Sequence, residues 1–377
     1  MVTSISDHWN IRRSVYFFSI IIFTVGSLAA VFAHDIYVLL GMRILQATGI
    51  SSAWAIGAGS VADVYAVHER GHALGIYFTG QFAGPLFGPI FGGFLVERWG
   101  WPSVFWLLFM IGCLLLLLVL FAMEETYRDE QVWGRDDGVE AKIESNDSAT
   151  LTGKTWGNPL ASLALLRHPF VFIFAVATGL AFGGMFAIEN MLPALYTQTY
   201  GFTSSLIGLS FISPGIGEVV GSLLSGKLSD YFLNRNVAQR GGLAVPEDRL
   251  APNVWPAAFI LNPLSFFLWG WPVQLGWSVW VSIIMFGVQC FAMVQVFNPA
   301  MSYLVDAVHG KGASVTAAAN FVRMVLSCVL SLIANPMTVA IGPGWVTFFF
   351  GILNFVWAFL LLFMKMKGHL VRQYSGY

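Results

Sequence analysis

The stretch GQFAGPLFGPIFGG, residues 80–93, has a glycine at every fourth position and no charged side chain. A period of four places these glycines along one face of an α-helix. The stretch lies inside an apolar run, residues 71–96, that is long enough to cross a lipid bilayer. A glycine face lets a second backbone approach closely, as in helix pairs within membranes. The stretch therefore predicts a membrane-spanning helix, with Pro85 and Pro89 as sites where it bends.

The composition of the whole chain agrees with a membrane location. Hydrophobic residues make up 57% of the 377 residues, charged residues only 10%, and the mean hydropathy is +0.71. A soluble domain carries about 25% charged residues, so a soluble globular enzyme is excluded. Intrinsic disorder is excluded as well, because it requires low hydrophobicity and high net charge. The net charge of −1 gives no indication of a nucleic-acid partner.

Apolar runs of spanning length occur ten times along the chain. They are residues 14–34, 36–64, 71–96, 101–123, 169–196, 204–231, 254–272, 276–304, 312–339 and 343–365. Helices are expected because backbone polar groups in lipid must be satisfied within the segment. The short alternating strands of a membrane barrel do not occur in the sequence. The predicted fold class is an all-α polytopic membrane protein with ten spans.

The basic residues orient these predicted spans. With the N-terminus in the cytoplasm, sixteen of the nineteen Lys and Arg residues fall on the cytoplasmic side. Arg98 alone falls outside, while Arg43 and Arg323 fall within spans. This bias satisfies the positive-inside rule, so both termini are predicted to be cytoplasmic.

An acidic, polar segment, residues 124–168, divides the spans into two groups and is predicted to be a cytoplasmic linker. An N-terminal bundle of four spans, residues 1–123, precedes it. A C-terminal bundle of six spans, residues 169–366, follows it and ends in a cytoplasmic tail, residues 367–377.

A short repeat relates the two bundles. Ser6-Asp7 is followed by Arg12, and Ser229-Asp230 by Arg235, so each copy has an Arg five residues after the Asp, at a predicted cytoplasmic boundary. Two spans precede the second copy within its bundle, but none precedes the first. Because transporters are often built from such repeats, the pattern predicts six-span units of which the first lacks two helices.

Several motifs together resemble the major facilitator superfamily, and within it the fungal twelve-span drug:proton antiporters of the quinidine, polyamine and dityrosine exporter branch. They are Ser6-Asp7 with Arg12-Arg13; Gly226-Lys227-Leu228-Ser229-Asp230; Arg43-Ile44-Leu45-Gln46-Ala47-Thr48-Gly49; the antiporter motif Gly84-Pro85-Leu86-Phe87-Gly88-Pro89-Ile90-Phe91-Gly92-Gly93; and Tyr303-Leu304-Val305-Asp306 with Arg323. The resemblance covers nearly the whole chain. It implies the major facilitator fold of two helical bundles.

The resemblance implies a transporter rather than an enzyme. Its partners would be a small-molecule substrate and protons, with no cofactor and no nucleic acid, and the protein would be a monomer in the plasma membrane. In the antiporter motif the candidate residues are Gly84, Pro85, Gly88, Pro89, Gly92 and Gly93. Plain helix packing is an equally weighted interpretation of these glycines.

Charged and amide side chains in or beside the spans are the candidates for proton coupling and gating. They are Asp7, Arg12, Arg13, Arg43, Gln46, Glu218, Asp230, Arg235 and Arg323. Alternatives stay open for each group. Arg43 can instead snorkel to the headgroups, Glu218 and Arg323 can form a static ion pair, and the edge charges can form a solvated rim.

Further polar residues are candidates for the wall of a substrate cavity: Glu189, Asn190, Gln289, Gln295 and Asn298. Glu189 can instead cap the outer end of its span.

The pattern His68-Glu69-Arg70-Gly71-His72 matches the zinc-protease motif, but Gly71 interrupts the turn in a short loop. We therefore predict no metal site. The favoured hypothesis is a proton-coupled exporter of small organic molecules or drugs that works by alternating access, and the alternative is a truncated, non-transporting remnant of such a transporter.

Overall fold

The computed structural model describes residues 13–64, 70–123, 161–239, 246–250, 252–308 and 312–374, and every statement below concerns these residues. The predicted sites Asp7 and Arg12, most of the linker and the end of the tail lie outside them.

Ten long helices account for nearly all of the described chain, and each overlaps one predicted span. They are α1 (Arg13–Val31), α2 (Ile36–Val64), α3 (Arg70–Trp99), α4 (Pro102–Ala122), α5 (Pro169–Tyr200), α6 (Ser204–Ser210 and Ile212–Gln239), α7 (Val254–Pro256, a π-helical turn Ala257–Leu261, and Asn262–Leu275), α8 (Val279–Ala307), α9 (Gly312–Ile341) and α10 (Pro343–Tyr374). The all-α fold class is thereby confirmed.

Seven stretches of the described helices are long and apolar enough to cross a bilayer. They are Arg13–Val31, Pro102–Phe121, Pro169–Tyr200, Ser204–Gln239, Val279–Ala307, Ser314–Ile341 and Pro343–Tyr374. The number of spans, ten, stays a prediction.

Glycines set the ends of several helices. Gly100, which follows α3, has φ of 79°, and Gly342, which follows α9, has φ of 86°. These values lie in the left-handed region, where a Cβ is strained, so glycine terminates each helix there. Pro102 and Pro343 then occupy the starts of α4 and α10, where the missing N–H costs nothing. This local chemistry produces the sharp reversals that antiparallel helices need.

Most of the buried core lies among the helices α5–α10, and Leu74, Phe78 and Phe82 of α3 join it. Here α5 packs against α9, α6 against α8, and α7 against both α8 and α10. Fully buried Trp269, Phe266 and Phe286 lie in this core. In the N-terminal part, α1 packs against α2 and α4. The outward faces are apolar, with Phe121 86% exposed, as a lipid-facing surface requires.

The two groups of helices meet mainly where α3 crosses α6, a contact that we call the seam. A Cβ added to Gly93 would lie 2.5 Å from the carbonyl oxygen of Ser204, and Gly208 is as tightly placed against the Pro89 carbonyl. At one end the Ser222 hydroxyl donates to the Gly75 carbonyl at 2.9 Å. Small residues thus let the two backbones touch.

At the other end of the seam, the backbone N–H of Ser205 donates to the Glu97 carboxylate at 3.0 Å. Hydrogen bonds from Ser205 hold the pKa of Glu97 below its ordinary value. We call the opposite end, where α6, α8 and α10 finish, the basic end, because Arg235, Lys365 and Arg372 lie there.

The seam glycines predict position-dependent effects of one added methyl group. Gly93→Ala forces the backbones apart and should lower the free energy of unfolding by about 1–3 kcal/mol. Gly88→Ala, on the same helix, meets no described atom within 4 Å and should leave the stability unchanged or slightly higher. Thermal unfolding in detergent, followed by circular dichroism, measures both. Equal melting temperatures for the two variants would contradict the close crossing.

Candidate functional site

A buried arginine lies between aromatic rings of α5 and α8. Arg323 of α9 is 1% exposed, and its guanidinium carbon lies 4.3 Å from the ring centre of Phe182 and 5.0 Å from that of Phe297. The two rings meet edge to face, with their centres 4.9 Å apart. A desolvated cation over a ring gains roughly 2 kcal/mol, so the rings stabilise the buried charge.

Helix α3 completes this aromatic site from across the seam. The ring centres of Phe78 and Phe82 lie 5.2 Å and 6.1 Å from that of Phe297. Tyr77 interacts electrostatically with Arg323, and its hydroxyl accepts a hydrogen bond from Gln81 at 2.5 Å. The site is therefore built by both helix groups. No single aromatic residue of this cluster was nominated from the sequence, because aromatic residues are common along the chain.

A second polar site lies inside the α5–α10 core. Glu218 of α6 is 1% exposed, and neither carboxyl oxygen accepts a hydrogen bond from any described residue. Glu189 of α5 and Cys290 of α8 are close enough to interact electrostatically with it. Glu189 is an acid and not a base, so it cannot balance a negative charge on Glu218. This environment therefore favours the neutral carboxyl group of Glu218.

Gln289, which precedes Cys290 on α8, is fully buried. Its amide oxygen accepts a weak hydrogen bond from the Cys290 thiol at 3.5 Å, while its amide nitrogen donates to no described group. The site therefore combines a carboxyl group and an amide with unused hydrogen-bonding capacity. Such groups are rare in a membrane interior and mark functional positions.

The static ion pair between Glu218 and Arg323, left open from the sequence, is not formed among the described residues. The Glu218 oxygens have no hydrogen-bond partner there, and Arg323 instead contacts the rings of α5 and α8. The two groups belong to separate sites.

Arg43 and Gln46 tie α2 to α1. Arg43 donates to the Gln46 side-chain oxygen at 2.7 Å, and the Gln46 amide donates to the Ser27 hydroxyl at 2.6 Å. Gly49, one turn further, lets α2 approach the Phe23 backbone closely. The arrangement holds Arg43 on the protein, with its charge 5.7 Å from the Phe105 ring centre.

The antiporter motif divides into two parts. Gly93 and Pro89 lie on the seam, whereas a Cβ at Gly84, Gly88 or Gly92 would meet no described atom within 4 Å. Pro85 and Pro89 both lie inside the continuous helix α3. The packing interpretation therefore holds for only one edge of the motif.

A network of charges closes the basic end. Arg249 is 1% exposed and bridges two carboxylates, Asp230 of α6 at 2.6 Å and Asp306 of α8 at 2.7 Å. The other oxygen of Asp230 accepts the backbone N–H of His72, in the first turn of α3, at 2.6 Å. A carboxylate is favoured at a helix N-terminus by the helix dipole. Asp230 thus joins α6 to α3 across the seam, and we call this contact the latch.

The turn that carries Arg249, Pro246–Arg249, is itself anchored; we call it the charged turn. Glu247 forms an ion pair with Arg372 of α10 at 3.0 Å, and Asp248 accepts a hydrogen bond from Asn236 at 3.1 Å. Lys365 donates to the Glu247 carbonyl. The charged turn therefore links the ends of α6, α8 and α10.

The sequence repeat singled out Arg235 together with Asp230, and in the structure Arg249 forms the ion pair with Asp230. Arg235 is exposed and forms no hydrogen bond or ion pair with a described residue. Arg249 and Glu247 were not singled out from the sequence, and Asp306 was named there only as part of a motif. Three charges in four residues of a short loop were the available signal.

The predicted cavity residues mostly join helices. Gln295 donates to the Gly221 carbonyl at 3.0 Å, and Asn298 contacts Ser222, so both tie α8 to α6. Asn190 donates to the Ser331 carbonyl at 3.0 Å, which ties α5 to α9.

Arg13, a gating candidate from the sequence, donates to the Leu120 carbonyl at 2.6 Å and so joins α1 to α4. Nowhere among the described residues do three or more potential ligands cluster as a metal site.

The sequence model of the Major Facilitator Superfamily matches residues 1–332. The chain belongs to this superfamily. Its relatives include the MFS transporter cpaT of Aspergillus oryzae, 33% identical over 89% of this chain and 68% of cpaT. The MFS antiporter QDR3 of Candida albicans is 25% identical over 96% of this chain and 69% of QDR3. The MFS transporter OpS2 of Beauveria bassiana is 28% identical over 87% of this chain and 98% of OpS2.

Among solved structures, the human organic anion transporter MFSD10 (TETRAN) superposes with a TM-score of 0.62 and 16% identity, covering 96% of this chain and 79% of MFSD10. At this identity the likeness establishes the fold. Family membership and the apolar helices together make the protein an integral multi-pass membrane transporter of small molecules rather than an enzyme. The resemblance seen in the sequence motifs is confirmed.

The latch network predicts which arginine matters for stability at the basic end. Arg249→Gln removes the buried cation that Asp230 and Asp306 share and should lower the free energy of unfolding by about 3–5 kcal/mol at neutral pH. Arg235→Gln, on an exposed side chain of the same end, should change it by less than about 0.5 kcal/mol. Thermal unfolding of both variants in one detergent is the measurement. A larger loss for the Arg235 variant would contradict the dominant role of the Arg249 ion pairs at this end.

Proposed function

We propose that the protein is a proton-coupled exporter that exchanges small organic molecules or drugs for protons by alternating access. It acts as a monomer in the plasma membrane, with both termini and the basic end in the cytoplasm. The buried, unpartnered carboxyl group of Glu218 is the observation that carries the proposal. The aromatic site around Arg323 is the proposed substrate site, and the latch is the proposed gate.

Glu218 has the properties of a proton carrier. A carboxylate that accepts no hydrogen bond inside an apolar core is too costly to remain ionised, so the group is protonated in this state. When α6 moves and water reaches the side chain, ionisation becomes favourable and the proton leaves. Because the proton's binding is tied to the packing around α6, its release on one side of the membrane can drive the conformational change.

The aromatic site is the proposed place for the substrate. It lies between the two helix groups, where transporters of this kind bind their cargo. Phe78 and Phe82 belong to one group, and Phe182 and Phe297 to the other, so a bound molecule contacts both. Large rings with one cation and few hydrogen-bonding groups suit an amphipathic organic molecule.

The latch is the proposed cytoplasmic gate. The excess of Lys and Arg at this end supports a cytoplasmic location. The hydrogen bond between Asp230 and the His72 N–H joins the halves here, whereas Arg249, Asp230 and Asp306 all belong to the C-terminal half. Opening towards the cytoplasm therefore requires loss of this contact and of the Ser222–Gly75 hydrogen bond, and the Arg249 bridge keeps Asp230 paired while the gate is open.

The relatives favour export over a non-transporting remnant. QDR3 is named an antiporter, and cpaT and OpS2 are named transporters. The alignment with OpS2 covers 98% of that protein, so the region shared with this chain makes up nearly all of a protein named a transporter.

The proposal predicts that Glu218→Gln separates proton coupling from exchange. In proteoliposomes with an imposed pH gradient, we expect the wild-type protein to accumulate an amphipathic dye from a set of one cationic, one neutral and one anionic compound. Glu218→Gln should reduce this gradient-driven accumulation at least tenfold, because the amide carries no proton. Exchange of the same dye at equal pH should continue, since the substrate site is intact.

The matched control is Asp35→Asn, which neutralises an exposed acid between α1 and α2, away from the seam, and should retain gradient-driven transport. If the wild-type protein moves none of the three dyes under a gradient, the remnant interpretation replaces the exporter. If Glu218→Gln transports as well as the wild-type protein, another acid carries the proton.

A further inference from the structure

A pocket of about 360 Å³ opens at the basic end, between α6, α10 and the segment that follows the charged turn. Its wall is lined by Phe232, Arg235, Asn236, Gln239, Asp248, Leu250, Pro252, Trp255 and Lys365. The pocket is distinct from the aromatic site and from the Glu218 site, and transport as proposed above makes no use of it.

The lining has the chemistry of an anion site with apolar walls. Arg235 on α6 and Lys365 on α10 supply two positive charges from different helices. Asn236 and Gln239 add amide groups, and the ring of Trp255 forms part of the apolar wall. A planar guanidinium matches the oxygens of a phosphate group, and an ammonium group adds a point charge.

Arg235 is the second, independent observation. It is exposed, it faces this pocket, and it makes no hydrogen bond or ion pair with any described residue. Asp230, the acid of the same sequence repeat, is paired with Arg249. The one acid of the lining, Asp248, is 1% exposed and accepts a hydrogen bond from Asn236 at 3.1 Å, so its charge is already engaged.

The position of the pocket indicates where the phosphate comes from. The predicted spans end at residues 231 and 365, and the lining residues of α6 and α10 begin at Phe232 and at Lys365. The pocket therefore lies at the level where these helices leave the hydrocarbon core, among the lipid headgroups. Basic pockets between helices at this level bind anionic headgroups.

We propose that this pocket binds the phosphate group of an anionic phospholipid headgroup from the adjoining leaflet. The headgroup phosphate bridges Arg235 and Lys365, and its polar remainder contacts Asn236 and Gln239. Because Asp248 and Leu250 line the pocket and flank Arg249, an occupied pocket holds the charged turn in the position that closes the latch. Proton coupling plays no part in this binding.

The test uses the purified full-length chain in an uncharged detergent and three probes. These are dioctanoyl phosphatidylinositol 4-phosphate, dioctanoyl phosphatidylcholine and free inositol 1-phosphate. The readouts are the tryptophan emission, to which Trp255 contributes, and the melting temperature, which rises when a ligand binds the folded state. We expect the anionic lipid to shift both in a saturable manner and phosphatidylcholine to shift neither.

The variants assign the effect to the pocket. Arg235→Gln should weaken binding of the anionic lipid at least fivefold and leave the melting temperature of the unliganded protein unchanged. Arg167→Gln removes an exposed arginine at the same end, outside the pocket, and should bind as the wild-type protein does. Arg235→Glu, which reverses the charge, should abolish the shift.

The outcomes are distinct from those of the transport assay. Equal affinity for inositol 1-phosphate and the lipid would confirm the phosphate chemistry and overturn the lipid as its source. The proposal as a whole is overturned if the anionic lipid causes no shift, or if Arg235→Gln and Arg167→Gln weaken its binding equally. None of these results depends on whether the dyes are transported.

Discussion

The crossing of α3 and α6 is the contact on which the relation between the two helix groups depends. In lipid there is no hydrophobic force between helices, so close packing and hydrogen bonds hold them together. Gly75, Gly93, Gly208 and Gly215 bring the two backbones together along the seam. At these glycines the two helices meet in close contact, while Phe78 and Phe82 of α3 pack in the buried core that the C-terminal helices share.

The polar ties across this seam lie near its ends. Asp230 and the His72 N–H, with Ser222 and the Gly75 carbonyl, hold the basic end, while Ser205 and Glu97 hold the opposite end. Each tie is one hydrogen bond, worth about 1–3 kcal/mol where a charge takes part. A rocking motion can therefore break the ties of one end while those of the other end persist, as alternating access requires.

The sequence predicted the helices well because hydropathy and helix-ending glycines are local signals. It predicted the seam less well. Gly88 and Gly93 belong to one motif, yet only Gly93 meets a partner backbone, and that difference depends on where α6 lies. The pairing of Arg249 with Asp306 joins residues 57 apart in the chain, so no spacing rule reveals it. The repeat singled out Asp230 but not Arg249, the residue that pairs with it.

Helix α6 connects the proposed proton site to the proposed gate. Glu218 and Asp230 lie twelve residues apart on it, which corresponds to about 18 Å along the axis. The same helix forms the seam, so any tilt that hydrates Glu218 also changes the distance between Asp230 and the first turn of α3. Coupling between Glu218 and Asp230 needs no chain of intermediate contacts. A rigid helix that moves between two positions changes the surroundings of both residues at once. Three of the buried charged or acidic groups then have separate proposed tasks. Rings stabilise Arg323, carboxylates stabilise Arg249, and Glu218, which no described group stabilises as an anion, is the one whose protonation must follow the motion.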